Sequence, residues 1–214
     1  MDTVVAVYAI FMVGYMLIKA MGVGQPWRAI VKLSLSTMFV AVGLHYVANN
    51  GWQQAQILLF VALVFAWIGD AFLLSKNKVK MFHLGCLAFA FSNMLLTSHA
   101  VLVYTWQWWS LVLFAVFVAT MLICQKLNVF SFGHSKLVLN LYSLSVGYNG
   151  LLGLTIAIAV GTPSAVMFGV GSMLFLASDF ALALFMFKFK KWPMDVFNTL
   201  LYFSGMMLIA ASVM

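Results

Sequence analysis

The chain has 214 residues, of which 65% are hydrophobic and only 7% charged, and its mean hydropathy is +1.10. Soluble domains average about 45–50% apolar and about 25% charged, so the composition excludes a soluble domain and predicts an all-α, polytopic membrane bundle. The formal net charge of +7 comes from eleven Lys and Arg against four Asp, with no Glu. Those basic residues lie in short clusters between apolar segments, which is a topology signal and not a nucleic-acid surface.

A helix that crosses a bilayer needs about 20 mostly apolar residues. Measured that way, the chain holds eight segments: Thr3–Met21, Ile30–Ala48, Ala55–Leu74, Met81–Leu102, Trp108–Cys124, Leu137–Val160, Ser164–Phe187 and Val196–Val213. The breaks "GVGQP", "NNG", "SKNK", "GTP" and "KKWP" carry turn chemistry. Continuous apolar runs of this length are not the alternating strands of a membrane barrel. The first segment has no basic leader paired with a small-residue cleavage site, so it is read as a retained helix. The expected organisation is one eight-helix domain over residues 1–214.

Charge orients the segments. The first loop has Lys19, Arg28 and Lys32 in it or at its edges, and the third has Lys76, Lys78 and Lys80. The fifth has Lys126 and Lys136, and the seventh Lys188, Lys190 and Lys191, which completes the basic residues. The loops "NNGWQQ", "YTWQ" and "GTP" hold none. The positive-inside rule places the odd loops in the cytoplasm and both termini on the non-cytoplasmic side. Trp27, Trp52, Trp106, Trp108, Trp109 and Trp192 fall at segment ends, as interfacial anchors do. Such a multi-pass protein suits a bacterial inner membrane, or the endoplasmic reticulum membrane in a eukaryote. Cys86 and Cys124 lie in apolar stretches without disulfide or zinc spacing. His45 and His99 lie towards the outer face and His83 and His134 towards the cytoplasm, so neither a metal nor a cofactor is expected.

Two acids stand where a carboxylate is hardest to keep. "LVFAWIGDAFLLSK" places Asp70 in the third segment and "LFLASDFALALFMFK" places Asp179 in the seventh. Asp70 precedes Lys76 by about 9 Å of helix rise, and Asp179 precedes Lys188 by about 13 Å. Both therefore fall in the cytoplasmic half of a core about 30 Å thick. Each belongs to a small-Asp-x-x-Leu motif four helices from the other, too short a match to establish a duplicated unit. A carboxylate near mid-bilayer costs roughly 2.5–3.5 kcal/mol on insertion scales and faces the bundle interior or a wet cavity. No basic partner is evident in either segment, so the reading is an acid pair that holds a shared proton, with polar contacts between helices as the structural alternative. Asn93, Asn140, Ser143, Tyr148, Asn149, Tyr202 and Ser204 are polar positions that could line the same cavity.

The blocks "GDAFLLSKNKVKMFHLGCLAFAFSN", "GSMLFLASDFALAL" and "LYFSGMMLIAAS" resemble the signature blocks of the lysoplasmalogenase (YhhN-like) membrane family. The matching positions are Gly69, Asp70, Leu73, Phe82, Gly85, Phe89, Ser178, Asp179 and Tyr202, with Lys32 matching a lysine that opens the family's second helix. The chain departs from the pattern at Asn93, where the family has His, at Met206, where it has Gln, and at Leu33, where Pro follows the lysine. The resemblance implies a hydrolase that cleaves the vinyl-ether bond of lysoplasmalogens to a fatty aldehyde and a glycerophospho-alcohol. It further implies Asp70 and Asp179 as the catalytic pair, with Lys32, Ser178 and Tyr202 as substrate-binding residues; Asn93 and Asn140, from the polar positions above, complete the expected substrate-binding set. The expected partners are a lysophospholipid substrate and membrane lipid, with no nucleic acid.

The chemistry of the residues agrees with that implication. Enol-ether cleavage needs a proton delivered to carbon, a negative charge beside an oxocarbenium-like intermediate, and an activated water. A carboxylic acid paired with a carboxylate supplies all three, as in glycoside hydrolysis. The alternative is a proton-coupled transporter that uses the same acid pair as a relay. An intramembrane aspartyl protease would need Gly where Trp67 stands.

Overall fold

The computed structural model describes residues 2–75, 78–127, 133–187 and 192–213. Eight α-helices follow in chain order: α1 Asp2–Ala20, α2 Gln25–Asn50, α3 Gln54–Leu73, α4 Lys78–Val103, α5 Trp109–Lys126, α6 Lys136–Val160, α7 Pro163–Phe187 and α8 Trp192–Ala211. A short 3-10 turn, Gly133–Ser135, leads into α6, and there is no strand among the described residues. Each expected segment is a helix. Where the ends differ, the reason is local. α2 and α8 begin several residues early because Pro26 and Pro193 sit in their first turns, where a missing N–H leaves no bond unmade. α7 opens on Pro163 for the same reason. α6 stops at Gly161, whose φ of 67° lets it cap the helix with a bond to the Ala157 carbonyl.

Seven helices, α2 to α8, are long and apolar enough to cross a membrane, while the apolar stretch described in α1, Ala6–Ala20, is shorter. Lys76, Lys188, Lys190 and Lys191, expected in the cytoplasmic loops, lie outside the described residues, as do the side chains of Lys78 and His134.

Six helices form a closed ring in the order α2, α3, α4, α6, α7, α8, with α8 returning to α2. α1 packs outside the ring against α2 and α8, and α5 packs outside it against α6. The closest pairs are α3 with α4 and α7 with α8. In the second, a Cβ on Gly205 would stand 2.7 Å from the Gly171 carbonyl oxygen, so only glycine lets the two backbones meet. Helices in lipid gain nothing from hiding apolar surface from one another, and such close backbone approach is what holds them.

The ring is filled unevenly. Towards the loops α2–α3, α4–α5 and α6–α7 it is plugged by fully buried Phe39, Leu59, Leu63, Leu96, Ile156 and Phe168. Towards the opposite end, where Lys19, Lys32 and Asp195 lie, it opens into a cavity of about 230 Å³. Exposed apolar side chains such as Ile10, Leu17, Leu102, Val116 and Ile158 cover the outside, as a surface in contact with lipid requires.

The packing also repeats at an interval of four helices. α1–α2, α2–α3 and α3–α4 are matched by α5–α6, α6–α7 and α7–α8, and the contact of α4 with α6 is matched by that of α8 with α2. Asp70 on α3 and Asp179 on α7 therefore occupy equivalent helices of two like halves. This internal pairing gives the short sequence motif around each Asp a structural counterpart.

Candidate active site

Every helix except α5 contributes to the cavity wall, and Asp70 and Asp179 both line it. Asp70 is 1% exposed and fully engaged. Its Oδ1 is 2.7 Å from the Lys32 Nζ, and its Oδ2 accepts hydrogen bonds from Ser36 Oγ at 2.6 Å and from the Tyr202 hydroxyl at 2.7 Å. This corrects the sequence expectation that neither acid has a basic partner. The cation comes from a neighbouring helix, α2, where Lys32 and Ser36 are one turn apart and so point at α3 together. An ammonium and two hydroxyls, all donating, form the surroundings of an ionised carboxylate.

Asp179 has a different neighbourhood. It is half-buried, its hydrogen-bonding neighbour is the Tyr142 phenol on α6, and its Oδ2 is buried with no partner among the described residues. Tyr142 precedes Asp179 by almost the same chain distance as Lys32 precedes Asp70, on the equivalent helix of the other half. At that shared position one half carries a cation and the other a neutral phenol. Phe89 from α4 stands between the two acids' partners, its centroid 6.2 Å from Tyr142 and 5.9 Å from Tyr202. The ring reaches that place because Gly69 has no Cβ; one added there would lie 2.7 Å from the Phe89 ring.

At the cavity mouth Lys19 bonds Asp195 Oδ1 at 2.7 Å and Thr199 Oγ1 at 2.6 Å, joining the end of α1 to the start of α8. The Lys19 Nζ also lies 5.1 Å from the Tyr15 ring centroid. Lys19, Asp195 and Thr199 line the cavity together with Lys32.

Of the residues expected to bind substrate, Lys32, Ser178 and Tyr202 line the cavity. Ser178 directs its hydroxyl to the Phe175 carbonyl on its own helix, at 2.7 Å. Asn93 and Asn140 stand elsewhere. Asn93 is fully buried among helices, donates to the Phe89 carbonyl at 2.9 Å and accepts from Asn149 at 3.1 Å, which ties α4 to α6. Asn140 accepts from Gln125 on α5 at 2.8 Å. Met206 is fully buried in the apolar core. Ser36, Tyr142, Lys19 and Asp195 were not singled out from sequence for the site. Ser36 could have been, from its helical spacing to Lys32; the others depend on which helices become neighbours.

Among the described residues no group of three His, Cys, Asp or Glu is arranged to hold a metal ion. The profile of the YhhN family matches residues 27–213. The chain belongs to the YhhN family. That family includes lysoplasmalogenases. The match takes in Lys32, Ser36, Asp70, Tyr142, Asp179 and Tyr202, so the whole acid centre of this YhhN-family chain lies inside it, whereas Tyr15 and Lys19 precede it. Comparison with curated proteins and with solved structures gives no match.

Proposed function

We propose that this chain is an intramembrane hydrolase that cleaves the vinyl-ether bond of lysoplasmalogens to a fatty aldehyde and a glycerophospho-alcohol. The observation that carries the reading is the unequal pair inside one cavity: beyond Asp195, which pairs with Lys19 at the mouth, Asp70 is held by an ammonium and two hydroxyls and Asp179 has no cation among the described residues. Such divergence of environments separates acid from base roles.

Asp179 is the proton donor. It delivers its proton to the alkenyl carbon remote from the ether oxygen, and positive charge develops on the carbon that carries that oxygen. Asp70 stays ionised. A carboxylate has about four lone-pair sites, and Lys32, Ser36 and Tyr202 fill three of them, which leaves one for the attacking water. Water adds to the oxocarbenium carbon and passes one proton to that site on Asp70. The hemiacetal then collapses, its O–H proton going to the departing alkoxide as the C–O bond breaks to give aldehyde and alcohol, and the proton held by Asp70 returns to Asp179 through water. Lys19 and Lys32 make the positive side of the mouth, where the lipid phosphate is received. α3 and α7 run unbroken through their acids, whereas transporter sites are commonly built on interrupted helices; this favours the hydrolase over the transporter.

The test is incubation of the purified protein with a lysoplasmalogen and with its ester analogue. Aldehyde release from the vinyl ether and no fatty acid from the ester is the expected result. Release of fatty acid alone, or of nothing, overturns the reading.

A further inference from the structure

A second cavity, of about 160 Å³, lies beside the first and is almost wholly apolar. Its outer wall is α5, through Phe117, Met121 and Cys124, and its far wall is α7, through Leu176 and Phe180. α5 is fastened to α6 at two levels. Phe117 lies directly against Gly147, where a Cβ would collide with the ring, and Gln125 donates to Asn140. The apolar groove runs between these fastenings over about 12 Å of helix rise. Thr120 and Phe180 line the groove and are also exposed on the outside of the bundle, so it opens towards lipid. The two cavities share four wall residues: Ser143, Val146, Asp179 and Ala183. Asp70 borders only the polar cavity, so of the two acids only Asp179 stands at the junction.

We infer that the groove between α5 and α7 is the seat of a single hydrocarbon chain of a membrane lipid whose polar end occupies the main cavity. An apolar trough that opens on lipid and shares a wall with a charged chamber matches an amphiphile with one chain and one polar head. The inference deepens the proposed function and rests on it in one respect. In a lysoplasmalogen the vinyl-ether bond is the first bond of the chain, at the border between head and tail. A tail in the groove and a phosphate near Lys19 and Lys32 place that border at the junction, beside Asp179. The groove is then the feature that discriminates chain length, since one methylene bound in an apolar pocket changes selection by roughly 10–200-fold.

Two measurements test it. A lysophospholipid carrying a diazirine in its chain should, on irradiation, label the α5 peptide containing Phe117 and Met121, and unlabelled lysophospholipid should compete. Labelling confined to α1 or α2 overturns the inference. Separately, Met121→Trp, which fills the groove, should lower the ratio of kcat/KM for a long alkenyl chain over a short, water-soluble one by at least about tenfold. Ile123→Trp, on the exposed face of α5, should leave the ratio unchanged. An equal loss for both chain lengths in Met121→Trp overturns the inference. Labelling of α5 without aldehyde release would remove the proposed reaction and keep the lipid seat; aldehyde release without labelling of α5 would do the reverse.

Discussion

Asp70 and Asp179 are the same side chain on equivalent helices, and they differ in what donates to them. Substituting Asn for either keeps the shape and removes the ionisable group, so Asp70→Asn and Asp179→Asn should each lower kcat by at least about a hundredfold. The double variant should cost little more than one alone, because groups that act as a unit are not additive. Aldehyde release by the three variants, each shown to be monodisperse, is the measurement; near-normal release from either single variant would return that residue to a structural role. Both acids were legible in the sequence because an ionisable residue in an apolar run is conspicuous. Their pairing was not, although Lys32 and Tyr202 were named for the substrate. Lys32 reads as a loop-edge charge until α2 is known to lie against α3, and Tyr142 reads as one aromatic among many. Asn93 is the opposite case, a polar residue in a membrane helix whose bonds to Phe89 and Asn149 place it between helices.

At the scale of the element, the site depends on close approach. Gly69 admits Phe89 between α3 and α4, and Phe89 stands against the two tyrosines that serve the acids. Gly69→Leu should displace that ring and overpack the α3–α4 contact, costing about 1–3 kcal/mol. The expected outcome is a lowered unfolding temperature together with reduced aldehyde release, although both acids and Lys32 are retained. Unchanged activity would show that Phe89 is filler. The helices themselves were visible from hydrophobic length, and their early starts follow from the three prolines in the first turns of α2, α7 and α8. Which helices lie outside the ring was not visible. α5 and α6 both read as membrane spans, and the placement of α5 follows from its fastening points at Gly147 and Asn140.

For the molecule as a whole, the sequence predicts which end faces the cytoplasm, and insertion makes that testable. Cysteine introduced at Gln53, in the loop without basic residues, and at Lys80, at the start of α4, should react with impermeant reagent from opposite sides of the membrane. Reaction of both from one side would refute the orientation. The eightfold count and the alternation of charge came from the chain alone, because lipid leaves so few ways to satisfy a backbone. The likeness of the two halves needed the packing to be seen. Two identical halves around a common axis would present two identical acids, and a perfectly symmetric centre cannot tell donor from acceptor. Symmetry is broken here around the acids: Lys32 and Ser36 in one half stand where Tyr142 and Val146 stand in the other, and only the first pair brings a cation. Tyr142→Lys should remove that difference, setting an ammonium beside each carboxylate. The proton would then have no group to rest on, and kcat should fall by at least about a hundredfold while the lipid still binds. Directionality in this bundle would thus rest on a phenol standing where the other half has a lysine.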